Sequence, residues 1–287
     1  MIPIIGIVVL FVMVFGGYII AGGKMAPILK SLPYEMMMIG GAGAAAFLIS
    51  NSMPTIKATG GAMGKIFSGS KWKKQDFLDV LVLLFMLTKT MKTKGIIALE
   101  SHIEKPEESS IFSQFPRIVD DHFAIDMICD TLRMMTMNMD DPHQIESHIE
   151  KQIEKHHHEA LGPSHALQSL ADAFPALGIV AAVLGVIKTM AAIDQPPPVL
   201  GAMIGGALVG TFLGVFLSYG LAGPFSAKAA VVVDEEGTMY HIIKDVLVSY
   251  LHGNAVQVAV EMGRGAIPSH MQPTFAEVEN ATNEAKL

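Results

Sequence analysis

The chain has 287 residues, of which 51% are apolar and 16% are charged; soluble domains usually carry about 25% charged residues. With a mean hydropathy of +0.44, this composition argues against an ordinary soluble protein and indicates a membrane protein. The net charge of -7, with no basic stripe or zinc-finger spacing, argues against nucleic-acid binding.

Four stretches contain no Asp, Glu, Lys, Arg or His, namely Ile2 to Ile20, Met36 to Ser50, Pro175 to Ile187 and Val199 to Gly223. A helix rises 1.5 Å per residue and the hydrocarbon core is ~30 Å thick, so each stretch is long enough, or nearly so, to span a membrane. We therefore predict four spans without an ionisable group of their own. Ion-driven proteins usually carry such a group in the membrane, so a partner should supply it if this chain handles ions.

Lysine placement predicts the orientation of the spans. Nine lysines lie before or after the spans on the side of the large middle segment, and three lie in the other two loops or at their edges. The positive-inside rule then places both termini and the middle segment in the cytoplasm. The single cysteine, Cys129, fits this location because it cannot form an internal disulfide.

The segment between the second and third spans is predicted to be helical. Val80 to Leu87 is an apolar run of eight residues, too short to span and typical of a buried or membrane-apposed helix. Apolar residues recur at helical spacing from Ile118 to Met139, after a break at Pro116. Gln144 to His158 is charged and predicted to form another helix.

The chain after the fourth span is predicted to form one amphipathic helix from Glu235 to Val260, followed by a mobile end from Ile267. The sequence shows no strand alternation and no phosphate-binding glycine loop. We therefore predict an all-α polytopic membrane protein with four transmembrane helices and a helical cytoplasmic domain. Its four predicted segments are residues 1–50, 51–172, 173–226 and 227–287.

Small residues recur every four positions along the fourth span, at Ala202, Gly206, Gly210, Gly214 and Ser218. Such a ladder lets another helix backbone approach closely, so we predict helix packing at Gly206, Gly210 and Gly214. Thr211 and Ser218 are seven residues apart, which predicts that they lie on one face of this otherwise apolar helix. Their hydroxyls either line a polar path or bond back to carbonyls of their own helix.

Two prolines, Pro175 and Pro224, flank the predicted third and fourth spans. If the third helix enters the membrane from the cytoplasm and the fourth returns to it, both prolines lie at similar depth near the cytoplasmic face. Paired on adjacent helices they would form a hinge. Alternatively, Pro175 starts one helix and Pro224 breaks the other, as prolines often do.

Several separated motifs resemble the MotA family of bacterial flagellar motor stator subunits. They occur in order along the chain, at Ile39 to Ala42, Gly95 to Glu100, Ile103 to Pro106, Phe115 to Arg117, Phe174 to Val186, Leu208 to Gly214, Ser218 to Pro224 and Glu261 to Arg264. The resemblance runs from about residue 1 to residue 280. Its specificity lies in the order of the motifs combined with the predicted four spans.

The resemblance implies a ring of five copies around two copies of MotB, a single-span partner whose intramembrane aspartate carries the ion. It also implies that the cytoplasmic domain pushes on the rotor protein FliG. By position, Pro175 and Pro224 match the family's functional prolines, and Lys92 and Glu100 match its rotor-facing basic and acidic residues. The better-studied family members have arginine at the position of Lys92. Lysine keeps the positive charge but lacks the planar guanidinium fork.

The resemblance also bears on the transported ion. Sodium-type relatives are expected to have a threonine seven residues after the proline of the third span, where this chain has Ala182. Sodium needs several oxygen ligands and a proton needs only an accessible carboxylate or a water chain. With Thr211 as the one nearby hydroxyl, the proton is favoured. A sodium site completed by the partner or by backbone carbonyls is the alternative.

We therefore predict a flagellar motor stator subunit of the bacterial inner membrane that conducts protons with its partner and needs no enzyme activity, metal or cofactor. One alternative is a TolQ- or ExbB-like energy-transducing subunit, although three spans are expected there. Another is a passive membrane scaffold, which would explain the glycine ladder and not the ordered motifs. The tract His156-His157-His158 is predicted to be a solvated helix end rather than a metal site.

Overall fold

The computed structural model describes residues 2–137 and 141–285, and within these ranges it contains helices and no strand. The prediction of an all-α fold is confirmed. The helices are α1 (Ile2–Ile20), α2 (Met25–Ser50), α3 (Met53–Ser68), α4 (Lys74–Lys94), α5 (Ile96–Ile103), α6 (Pro116–Val119), α7 (His122–Thr136), α8 (Pro142–Ala160), α9 (Gly162–Met190), α10 (Pro197–Val215), α11 (Gly223–Leu251), α12 (Val256–Gly265) and α13 (Phe275–Glu284).

The helices are grouped in two units. The membrane unit comprises residues 1–69 and 160–232, and the second unit comprises residues 70–159 and 233–287. The four segments predicted from the sequence follow the apolar stretches and do not coincide with these groups. The division of the chain into two transmembrane hairpins, a rotor-facing domain and a C-terminal segment stays a prediction.

Four helical stretches are long and apolar enough to cross a membrane. They lie in Ile2–Ile20, Met25–Ser50, Pro142–Met190 and Pro197–Leu251, which confirms the predicted number of spans. No residue of α1 is buried. Its apolar side chains therefore remain open to lipid or to another chain.

The second span differs from the prediction. Its helix begins at Met25, not at Met36, and continues without a break to Ser50. It therefore includes Glu35, a residue that the apolar-stretch criterion left outside the membrane. A helix continues through Lys30 and Glu35 because the residues around them favour helix, so α2 is longer than the apolar stretch and carries these two ionisable residues. That the membrane-spanning parts carry none stays a prediction.

Within the membrane unit, α9 is the helix that the others pack around. It lies against α10 along most of its apolar length and also contacts α2 and α3. Phe174 of α9 contacts Gly43 of α2, where an added Cβ would lie 2.8 Å from the phenyl ring. Phe11 and Phe15 of α1 pack edge-on or tilted against Phe216.

The second unit is built around α4. Every residue from Val80 to Leu87 is buried in its core. The predicted short apolar helix is thus a core helix of the second unit, as expected for an apolar run too short to span a membrane. Helices α7, α8, α11 and α12 contribute buried side chains to the same core.

Three helix boundaries in the second unit differ from the predictions. The predicted helix from Ile118 is interrupted before Asp121, whose carboxylate caps the start of α7, and Met139 lies outside the described residues. The predicted helix from Glu235 to Val260 is two helices, because α11 ends at Leu251 and Gly253 has φ +85°. Glycine adopts this conformation without a Cβ penalty.

The end of the chain also differs from the prediction of a mobile segment. Thr274 and Glu277 form a capping box that starts α13, and Glu277 pairs with Lys74 of α4 at 2.8 Å. A capping box satisfies two helix-end donors reciprocally, which favours an ordered helix at this position.

Candidate functional site

The small residues of α10 bring its backbone against α9. A Cβ added at Gly214 would lie 2.5 Å from the carbonyl oxygen of Phe174, and one added at Gly178 would lie 2.8 Å from the carbonyl oxygen of Gly210. Real Cβ atoms do not approach backbone this closely. The two helices therefore touch backbone to backbone, which is the geometry expected of small-residue ladders in membranes.

Gly206, which is nearer the start of α10 than Gly210 and Gly214, lies against α2. A Cβ added at Gly206 would lie 2.9 Å from the hydroxyl of Ser31 on α2, and one added at Gly185 of α9 would meet Ala207. Gly206 thus lies against α2, whereas Gly214 lies against α9. One ladder serves two helix contacts because the side-chain direction rotates along α10.

Thr211 and Ala182, which are predicted from the sequence to bear on the transported ion, are half-buried in the membrane unit. Ser218 is buried and belongs to a π-helical segment, Phe216–Ala222, that joins α10 to α11. A π segment has a wider turn than an α-helix and shifts the faces that follow it. The seven-residue spacing of Thr211 and Ser218 therefore does not place both hydroxyls on one α-helical face.

The two prolines do not lie at one depth. Ser164 of α9 accepts and donates hydrogen bonds at Ser226, with its hydroxyl 3.0 Å from the Ser226 carbonyl oxygen. Gly178 packs on Gly210 and Gly214. Between these two contacts the helices run antiparallel, so Pro175 is level with a residue near position 215. Pro224 is about nine residues, or ~13 Å, further along the bundle.

The predicted pairing of the prolines is therefore wrong, and each has its own setting. Pro175 lies inside α9, so it is not a helix start. Having no N–H, it leaves the carbonyl of Ala171 without its helical donor. Pro224 lies two residues after the π segment and inside the continuous helix Pro197–Leu251, so it too removes a backbone donor from the interior of a helix.

Glu35 is a buried residue of the membrane unit that the sequence interpretation missed. It is 5% exposed, and its Oε2 atom has no hydrogen-bond partner among residues 2–137 and 141–285. The same oxygen lies 2.6 Å from the place that a Cβ on Gly210 would occupy. The available signal was the position of Glu35 directly before an apolar run, with further apolar residues on its other side.

Lys92 and Glu100, the residues that match rotor-facing positions, are exposed in the second unit. Gly95, with φ +83°, separates α4 from α5. The two charges therefore do not lie on one continuous helix. Lys92 is in the last turn of α4, where a cation complements the helix dipole.

A buried carboxylate links three segments of the second unit. Asp121 is salt-bridged to Lys71, accepts a hydrogen bond from the Tyr240 hydroxyl at 3.1 Å and accepts one from the backbone N–H of Ala124 at 2.9 Å. Burial favours a raised pKa for this carboxyl, and the bonds from Lys71 and Ala124 outweigh it, so the pKa of Asp121 is lowered.

The three histidines of the tract have separate surroundings. His156 stacks on Phe123 with ring centroids 3.9 Å apart, and burial lowers the pKa of its imidazole. His157 lies 3.6 Å from Asp234, and His158 is exposed. They do not converge on one point.

A different trio, His143, Glu146 and His252, offers one ligand atom each within 4.8 Å of one another. A divalent transition ion would accept these ligand types.

The chain matches two family models. The model described as "Motility protein A N-terminal" covers residues 4–95, and that of the "MotA/TolQ/ExbB proton channel family" covers residues 120–241. Both matched ranges include spans, and the first also includes Lys92.

Two relatives are similar over almost their whole length. Motility protein A of Salmonella typhimurium is 39% identical over 279 residues, which covers 97% of this chain and 94% of that protein. Motility protein A of Escherichia coli is 37% identical over 286 residues, covering 100% and 96%.

A solved structure has the same fold. The chain aligns with a chain of the flagellar MotAB stator complex from Bacillus subtilis with a TM-score of 0.72 and 20% identity, covering 96% of this chain and 100% of that chain. The chain therefore belongs to the MotA/TolQ/ExbB proton channel family and, within it, to the motility protein A subunits of flagellar stators.

Proposed function

We propose that the chain forms a proton-conducting, torque-generating stator unit with a MotB-type single-span partner whose aspartate binds the ion. The observation that carries this proposal is the backbone contact of α9 and α10 at Gly178, Gly210 and Gly214, in a chain 39% identical to a motility protein A. This tight pair offers a rigid wall, and exposed apolar side chains cover the outer faces of α9 and α10. An apolar partner helix is suited to such a surface.

Proton binding would make the partner's aspartate neutral and so remove the penalty for moving it past these apolar surfaces. The membrane potential supplies ~2.3 kcal/mol per elementary charge per 100 mV, so one proton biases a step by a few kcal/mol. Thr211 and Ala182 would border the path, and Ser218 would lie further along it. We assign positioning roles to Pro175 and Pro224 at two separate depths, each where the helix lacks an N–H.

The proposed assembly is a ring of five copies of this chain around two copies of the partner, in the bacterial inner membrane. Both termini and the second unit would lie in the cytoplasm, as the lysine distribution favours. Lys92 and Glu100 would contact the rotor protein FliG. Their exposure on separate helices supports a surface role, because neither side chain is used in the core of the second unit.

The coupling ion can be tested by swimming assays of cells whose only stator is this chain with its partner. We expect swimming to persist when sodium is removed and to stop when a protonophore collapses the proton gradient. Ala182→Thr should not create a sodium motor, because the other oxygen ligands would still be missing. Sodium-dependent speed at constant proton-motive force would contradict the assignment. Intact but paralysed flagella after deletion would separate a stator from a TolQ- or ExbB-like role.

A further inference from the structure

Glu35 is a carboxyl group enclosed by the membrane unit. It is 5% exposed, and Oε2 has no hydrogen-bond partner in the part of the chain that the structure describes. It is also the only glutamate in the sequence ranges of the membrane unit, residues 1–69 and 160–232. A polar group in such a place is costly, and natural membrane helices rarely keep one without a function.

The carboxyl lies where three helices meet. The Cβ position of Gly210 on α10 is 2.6 Å from Glu35 Oε2, 3.2 Å from the Cβ of Ala181 and 3.3 Å from the backbone nitrogen of Ala182 on α9. One turn away, Ser31 of α2 approaches Gly206 in the same manner, at 2.9 Å. The absence of a side chain at Gly210 therefore makes room for the carboxyl beside Ala182, a residue already placed on the proposed path.

The junction lies well inside two of the helices that form it. Glu35 is ten residues after Met25, the start of α2, and Gly210 is thirteen residues after Pro197, the start of α10. At 1.5 Å per residue the junction is therefore about 15 and 20 Å from the starts of these two helices.

Few titratable side chains lie near Glu35. Helix α10 has none, α2 has Lys30 five residues before Glu35 and the exposed Tyr34 directly before it, and α9 has His165, Asp172 and Lys188, of which Lys188 is seven residues from Ala181. An ionised Glu35 would therefore lie in apolar surroundings without a counter-charge. The neutral acid is the form that fits the packing.

We propose that Glu35 is a proton-binding site of this chain, neutral in the packed arrangement and exchanging its proton with water of the ion path when α2 and α10 separate locally. The proposal rests on the proposed function as a proton-driven unit. It adds one proton-binding carboxyl per copy of the chain to the aspartate of the partner. In the exchange the carboxylic acid gives its proton to a water molecule, and the carboxylate later takes one back.

The test uses the complex with its partner, expressed in cells and reconstituted in vesicles, and follows proton uptake. Glu35→Gln has nearly the same shape and cannot release a proton, so we expect uptake to fall at least tenfold with the complex still assembled. Glu35→Asp can titrate and should retain more activity than the Gln variant. The matched control is Asp194→Asn, which removes an exposed carboxylate from the loop between α9 and α10 and should conduct as the wild type does.

A second measurement covers the case in which Glu35→Gln does not assemble. Infrared spectra of the complex, with this chain carrying carbon-13-labelled glutamate, should contain the shifted carbonyl band of a neutral glutamic acid at neutral pH. That band should vanish in Glu35→Asp, which carries no labelled carboxyl at this position. Absence of the band in the wild type would overturn the proposal.

The outcomes separate this inference from the proposed function. If the wild type takes up protons and the Gln variant takes them up equally well, the role of Glu35 is overturned and the proton-driven stator stands. A wild-type complex that takes up no protons would overturn the proposed function itself. An Asp194→Asn variant as inactive as Glu35→Gln would show that loss of a carboxylate anywhere in the unit stops uptake, and would also overturn a site at Glu35.

Discussion

At the scale of single residues, Asp121 joins three parts of the second unit that are far apart in the sequence. Its carboxylate bonds to Lys71, fifty residues earlier, and to Tyr240, which is 119 residues later. It also caps α7 through Ala124. The same contact holds Tyr240 beside His156, whose ring packs edge-on against it at 5.1 Å. One carboxylate therefore connects the loop before α4 with α7 and α11.

We predict that Asp121→Asn lowers the free energy of unfolding by about 1.5 to 3 kcal/mol at neutral pH, the usual contribution of hydrogen bonds to a charged group. Since the pKa of Asp121 is lowered on folding, its stabilisation is present above the unfolded pKa of about 3.9 and is lost as pH falls through the folded pKa. Thermal unfolding of wild type and variant should therefore converge in acid.

Asp120→Asn is the control for this prediction, because Asp120 is the exposed neighbour of Asp121. It should unfold as the wild type does at neutral pH. Equal destabilisation by both variants would assign the effect to general charge rather than to the bonds of Asp121.

At the scale of helices, the contact of α9 with α10 depends on the absence of side chains. A Cβ at Gly214 would meet backbone atoms of Phe174 and Gly178 at 2.5 and 2.9 Å, and backbone cannot rotate away as a flexible side chain does. A Cβ at Gly205, on the same helix, would meet nothing within 4 Å. The two positions differ in packing while sharing residue type and helix.

We predict that Gly214→Ala forces α9 and α10 apart and destabilises the membrane unit by about 1 to 3 kcal/mol, as overpacking of a tight contact does. Gly205→Ala gains the same helix propensity without the clash, so it should be neutral or slightly stabilising. The measurement is the melting temperature and membrane level of each variant. A Gly214→Ala protein as stable as Gly205→Ala would mean that the helices are not in backbone contact.

At the scale of the whole molecule, the two units carry different kinds of surface. Apolar side chains are exposed along α1 and on the outer faces of α9 and α10. The second unit buries its apolar residues around α4 and presents charges such as Lys92 and Glu100. The first surface suits lipid and other membrane helices, and the second suits a charged protein partner in water.

We predict that reversing both charges, Lys92→Glu with Glu100→Lys, impairs swimming more than neutralising either residue. An exposed ion pair contributes about 0.2 to 1 kcal/mol, and reversal replaces attraction by repulsion at two places. Membrane assembly with the partner should persist, which copurification would measure. Normal motility of the double reversal would contradict a rotor contact, and loss of assembly would give these residues a structural role instead.

The sequence by itself determined the elements that depend only on the length and apolarity of a single segment. Four apolar stretches of sufficient length specify four spans, and the run from Val80 to Leu87 specifies a core helix, because burial of apolar length needs no knowledge of the neighbours. The ordered motifs were sufficient to identify the family. In contrast, the break at Gly253 and the ordered helix from Phe275 to Glu284 were missed, although φ +85° and a capping box have residue-level causes.

Only the tertiary structure decided which residues of different helices share a level. The helix register puts Pro175 and Pro224 about 13 Å apart along the bundle, and it brings Glu35 against Gly210 beside Ala182. Residue spacing describes faces within one helix and carries no information on how far that helix slides along its neighbour. The sequence therefore established that the spans exist. The backbone contact at Gly178 and Gly214 decided which residues of α2, α9 and α10 lie next to one another.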